Sequence, residues 1–119
     1  MTIKRANDLL MAHEVPLEEI HIGPNSIIVE FDDINKKRRK IIFRPFQAFR
    51  ITTIDCADPD MVYGGYTRYL SECTDSPWID DLRAQLIDDT DDFLEKSKHY
   101  ILLLGDNFLE IVAWGADIS

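Results

Sequence analysis

The sequence His99-Tyr-Ile-Leu-Leu-Leu-Gly-Asp-Asn-Phe-Leu-Glu-Ile-Val-Ala-Trp114 reads as two strands closed on a tight turn. The apolar runs His99–Leu104 and Phe108–Trp114 flank Gly105, Asp106 and Asn107, residues that tolerate the positive φ of hairpin turns. The loop length decides which way the two polar residues face. A two-residue loop puts His99 on one face with Phe108, Glu110, Val112 and Trp114; a three-residue loop puts it with Leu109, Ile111 and Ala113. The first register sets His99 and Glu110 within an apolar sheet face as a candidate small site. The second leaves them as isolated strand polars, and both registers stay open on sequence alone.

Upstream of the hairpin, Ser76 is a good N-cap, Pro77 suits the first helical position, and Asp80 and Asp81 fall where the helix dipole favours anions. With Trp78, Ile79, Leu82 and Leu86 as the apolar stripe, a helix is expected over about 77–88, with 88–95 continuing as a frayed turn anchored by Phe93 and Leu94. Residues 55–75, with Pro59, Gly64-Gly65 and Tyr63, Tyr66 and Tyr69, read as a long loop. Further upstream, Ile27–Phe31 and 39–44 form the arms of a hairpin, and Phe46–Ile54 reads as a strand, with Phe49 and Ile51 on one face and Arg50 and Thr52 on the other. Pro45 between them breaks the ladder. Ile3, Ala6, Leu9, Leu10 and Ala12 recur at helical spacing, so a short helix is expected over 3–13. The sum is a single α+β domain over 1–119. It has an antiparallel sheet of about five strands, an N-terminal helix, and a second helix before the C-terminal hairpin.

The 119 residues are 45% hydrophobic and 29% charged, which is the composition of a globular protein and not of a disordered chain. No apolar run approaches the roughly 20 residues of a membrane helix. The N-terminus has no apolar segment behind its two cations, so a cytoplasmic location is expected, with Cys56 and Cys73 reduced. Charge is split along the chain. Residues 1–54 carry nine Lys/Arg against seven Asp/Glu, and residues 55–119 carry four against fifteen, giving the net −9. A one-signed surface selects partners of opposite sign, so a basic partner is expected and nucleic acid is not.

The basic run Lys36–Lys40 falls on a hairpin, where alternate side chains point to opposite faces, and it reads as a solvated tip. Phe43, Phe46 and Phe49 fit a core better than a base-stacking platform. The acidic run fails the EF-hand pattern: counted from Asp88, the sixth residue is Phe93 and the twelfth is His99. His13, His21, His99, Cys56 and Cys73 have no paired metal spacing, so neither a metal site nor a cofactor is expected. A Cys73–His99 nucleophile would need a tertiary arrangement that spacing does not show. No glycine-rich phosphate loop, serine elbow or paired-carboxylate frame is present.

Three stretches together carry a resemblance: Phe46-Gln-Ala-Phe-Arg-Ile-Thr52, Ser76-Pro-Trp78, and the hairpin His99–Ala113. Over roughly 27–114 the chain resembles small bacterial proteins of about this length, some of them immunity proteins of polymorphic toxin systems. That resemblance implies a protein that binds and blocks one cognate toxin, without catalytic residues or cofactor. It transfers no binding positions, because the interaction surfaces of such families vary. From the charge pattern, the expected contacts are Asp80, Asp81, Asp88, Asp89, Asp91 and Asp92, with Tyr63, Tyr66 and Tyr69 as anchors. Two alternatives stand beside this expectation: a small ligand-binding domain or enzyme on the His99/Glu110 face, and a structural subunit, homodimeric through a sheet edge or the Trp114 end.

Overall fold

The computed structural model describes residues 2–7, 9–59, 61, 68–87 and 94–119. Along the chain run β1 (Thr2–Arg5), β2 (Glu19–Ile22), β3 (Ile27–Asp32), β4 (Arg38–Phe43), β5 (Phe46–Thr53), a 3-10 turn (Ile54–Cys56) and β6 (Ser71–Thr74). The single helix α1 (Pro77–Ala84), β7 (Lys98–Leu104), β8 (Asn107–Ala113) and β9 (Ala116–Ile118) complete the described elements. The strands form two antiparallel sheets, ordered β1-β6-β7-β8-β5 and β2-β3-β4-β9.

This corrects the expected α+β fold with one sheet and two helices. Among the described residues the chain is mostly antiparallel strand in two sheets, and α1 is the one helix of seven or more residues. Among the described residues of 3–13 no helix forms, and burial there alternates only at Leu10 and Ala12. Leu10 and Ala12 are buried, Met11 between them is half-buried, and Leu9 is 89% exposed. Asn7 also accepts the Leu9 amide in a local turn, a bond that competes with helix formation. Ile3 instead faces Cys73 across the β1–β6 pair, and the segment 71–74, expected as loop, is the strand that joins β1 to β7.

The central hairpin takes the two-residue loop. Leu104 pairs with Asn107 and His99 with Val112, Gly105 sits at φ 62, and His99 shares a face with Glu110. Both of its faces are covered. Tyr100, Leu102, Leu104, Leu109, Ile111 and Ala113 pack against Ile27, Val29, Phe31, Ile41 and Phe43 of the second sheet. On the other side Ile101, Leu103, Phe108 and Cys73 pack with Met61, Ile54 and Ala57. A strand covered on both faces reads as a continuous apolar run, which is what 99–114 shows.

The two sheets share a corner. β4 ends at Phe43, Pro45 lies outside the ladder, and β5 begins in the other sheet with a bulge between Phe46 and Ala48. β8 and β9 make the same crossing beside it. The bonds Trp114 N–H to Pro45 O and Arg44 N–H to Gly115 O tie the two crossings together, at 3.0 and 3.1 Å. Bends and bulges of this kind let a strand pair change sheets. Among the described residues no helix is long and apolar enough to cross a membrane.

Candidate functional site

The outer face of the five-stranded sheet carries polar side chains in an apolar setting. Period-two alternation places His99 on β7 and Glu110 on β8 on that face, and the β5–β8 register sets Arg50 directly opposite Glu110. Ser76 reaches the same spot because it caps α1: its Oγ accepts the Ile79 amide at 3.2 Å. The result is a continuous hydrogen-bonded array. His99 Nε2 lies 2.8 Å from Glu110 Oε1, and His99 Nδ1 lies 2.8 Å from Ser76 Oγ. Arg50 donates from Nε to Glu110 Oε2 at 2.8 Å and from Nη2 to Oε1 at 3.0 Å. The Arg50 guanidinium stacks over Trp78 at 4.0 Å, and the same indole meets His99 edge-on with ring centroids 5.2 Å apart.

Burial fixes the chemistry. His99 and Glu110 are each 1% exposed. Removal from water pushes the Glu110 carboxyl up, but the hydrogen bonds from His99 and Arg50 outweigh it and hold the group below its ordinary value. A carboxylate only accepts, so the proton on Nε2 belongs to the histidine; in the neutral ring Nδ1 then accepts the Ser76 hydroxyl.

The order Ser–His–Glu is that of an activated nucleophile, and the surroundings argue against that use. Ser76 is 6% exposed and its oxygen is engaged by the α1 amide. The adjacent cleft of about 260 Å³ is lined by Arg50, Thr52, Cys56, Ala57, Asp58, Met61 and Glu110; its walls include neither Ser76 nor His99. Cys73 does pair with His99 in the β6–β7 register, but both ring nitrogens are already taken. Burial pushes the Cys73 thiol up to about 11, which keeps it protonated and weakly nucleophilic. The array is built to lock α1 onto the sheet.

Of the residues expected from charge, Asp80 and Asp81 lie exposed on α1, Asp80 being 3.3 Å from Arg83 Nη1. Tyr69 is half-buried, with the Arg5 guanidinium 3.9 Å above its ring. Tyr63, Tyr66, Asp88, Asp89, Asp91 and Asp92 fall outside the described residues. Sequence reasoning found His99 and Glu110 and missed Arg50, Ser76 and Trp78 as their partners. The alternation that set Arg50 off the core face was legible; the β5–β8 pairing that aims it at Glu110 was not.

Four arginines between positions 38 and 50 are engaged in ion pairs within the molecule. Arg38 pairs with Asp32 and Glu19, Arg39 with Asp33, Arg44 with Asp117, and Arg50 with Glu110. Asp33 also accepts the Asn35 and Lys37 amides and so closes the β3–β4 turn. Burial pushes its carboxyl up, and those amides with Arg39 bring it below its ordinary value. On the other half of the chain, Asp55, Asp75, Asp81, Glu95 and Asp106 are exposed and form no ion pair with another described residue. No family model, no curated protein and no solved structure matches the chain.

Proposed function

We propose that this chain is a cytoplasmic protein-binding protein that engages a basic partner through its acidic half, in the manner of an immunity-type inhibitor holding a basic toxin. One observation carries the reading: Arg38, Arg39, Arg44 and Arg50 are each held in an ion pair within the molecule, while Asp55, Asp75, Asp81, Glu95 and Asp106 of the acidic half are exposed and form no ion pair with another described residue. The field offered to a partner is therefore anionic, consistent with the formal net charge of −9. The saturated Ser76–His99–Glu110–Arg50 array supports a scaffold role, since it fixes α1 and the acids it displays.

The test is association kinetics with a basic partner captured from the native host. The on-rate falls about tenfold or more as salt rises, and Asp→Asn changes at Asp80, Asp81, Asp88, Asp89, Asp91 and Asp92 reproduce the fall at low salt. Binding indifferent to both salt and those substitutions sinks the electrostatic reading.

A second reading, a small ligand-binding domain, has an observation of its own in the cleft joining Glu110 and Arg50 to 56–61. Trp78, stacked on Arg50, reports on it. A ligand that shifts Trp78 fluorescence in the wild type and not in Arg50→Gln favours this reading.

A further inference from the structure

We infer that the outward face of the four-stranded sheet holds a binding site for a first-row divalent cation of the Zn²⁺ class, formed by Glu19, His21 and Glu30. The site lies on a different sheet from the acids of the proposed function and goes beyond that reading. Glu19 and His21 are two residues apart on β2, so both project from one face, and the β2–β3 register sets Glu30 directly opposite Glu19 and diagonal to His21. One donor atom from each residue lies within 4.8 Å of the others. Spacing along the chain conceals this set; strand pairing assembles it.

Three observations separate it from an incidental surface cluster. The first is a distance. His21 Nε2 and Glu30 Oε2 stand 3.6 Å apart, too far for a good hydrogen bond. Bonds of about 2.0–2.1 Å from Zn²⁺ to N or O ligands put two tetrahedral ligands about 3.3 Å apart, so a metal bridges that gap with little movement. The second is charge: two carboxylates directly opposite on a sheet repel, and a shared cation relieves the repulsion. Of the three candidate ligands Arg38 pairs with Glu19 alone, with Nη2 3.2 Å from Oε2. Lys40, the register partner of Glu30 on β4, makes no ion pair with it among the described residues. The third is the outer shell. Arg38 is itself held by Asp32 at 3.1 Å and by the Leu17 carbonyl at 2.8 Å, so its bond to Glu19 holds that carboxylate in place beside His21. An imidazole with two carboxylates selects Zn²⁺-class ions over Ca²⁺ or Mg²⁺, which prefer all-oxygen shells. Three protein ligands leave the fourth position open to water or to a partner's side chain.

The experiment is competition for Zn²⁺ against a chromophoric chelator, with the full chain and with His21→Ala, Glu30→Gln and His13→Ala. Their far-UV circular dichroism is checked first, and all four overlay, because none of the substituted side chains is buried in the core. One equivalent of Zn²⁺ is taken up, His21→Ala and Glu30→Gln each weaken it about tenfold or more, and His13→Ala leaves it unchanged. Excess Ca²⁺ or Mg²⁺ does not displace it. Absence of saturable uptake, uptake unaltered by His21→Ala, an equal loss in His13→Ala, or displacement by Ca²⁺ each overturns the assignment.

Discussion

Both sheets carry glutamate, histidine and arginine on their outward faces, and what differs is the cover. On the five-stranded sheet α1 roofs Glu110, His99 and Arg50, and the contacts run from 2.8 to 3.0 Å. On the four-stranded sheet Glu19, His21 and Arg38 are exposed and Glu30 is half-buried, with contacts of 3.2 to 3.6 Å. Identical side-chain chemistry therefore has two fates. Under the helix His99 and Glu110, each 1% exposed, depend on their neighbours, because an unpaired partner there has little water to turn to. In solvent each group is held loosely and keeps donor atoms available for a ligand.

The sharpest way to break that contrast is to truncate one glutamate on each face. Glu110→Ala leaves His99 without its acceptor and Arg50 without its counter-ion; breaking a buried pair costs about 3–5 kcal/mol. Arg50 is 46% exposed, which discounts the loss to about 3 kcal/mol. Glu30→Ala removes one partner of an exposed pair and costs less than about 1 kcal/mol. Urea unfolding of both variants is the measurement, and equal losses would erase the distinction between the faces.

Ser76 tests whether the roof and the array are one unit. Ser76→Ala removes the cap of α1 and the hydroxyl bonded to His99, together about 2 kcal/mol. Ser76→Thr keeps the hydroxyl and recovers most of that loss. If Ala cost only what an exposed cap costs, under about 1 kcal/mol, the helix would be independent of the histidine.

Acid reads the same contrast without cutting any side chain. Glu110 is held below its ordinary 4.5, so the folded state binds its proton less readily than the unfolded chain. Its contribution is complete above that value and is lost as pH falls through the lowered folded value. Asp33, also held below its ordinary 3.8, adds a second loss at the β3–β4 turn. The urea midpoint of the wild type drops below pH 4.5, and Glu110→Gln, less stable at neutral pH, drops less steeply. Identical slopes would show that the array is not what acid breaks.

How much of this could be read in advance follows from which interactions are local. The 99–114 hairpin and the start of the helix expected over about 77–88 were legible because turn chemistry, a serine cap and Pro77 act within a few residues; the helix itself ends at Ala84. The strand over 46–53 and its Arg50 face were legible from alternation. The two-sheet arrangement was not, because the N-terminal apolar residues satisfy a helical spacing, and only the β1–β6 pairing places Ile3 in a strand. Nor was the array: Ser76, His99, Glu110 and Arg50 meet through a helix cap and two strand registers, with Arg50 and Glu110 60 positions apart in the chain. The Glu19–His21–Glu30 set was hidden for the same reason.

The smallest effect is expected at Glu19, and its smallness is informative. Glu19 is 61% exposed and Arg38 42% exposed, so water solvates each side chain whether or not they touch. Arg38 keeps Asp32 and the Leu17 carbonyl when Glu19 is gone, and no buried group loses a partner. Glu19→Ala therefore leaves the urea midpoint within its scatter, and raising salt to about 1 M, where the Debye length is about 3 Å, changes nothing further. The Glu110 loss, by contrast, largely persists at that ionic strength, because Glu110 and His99 are each 1% exposed and buried pairs are screened much less. A Glu19 loss as large as the Glu110 loss and equally salt-resistant would mean that the open face is as tightly organised as the roofed one. Exposure would then not be what separates the two sets.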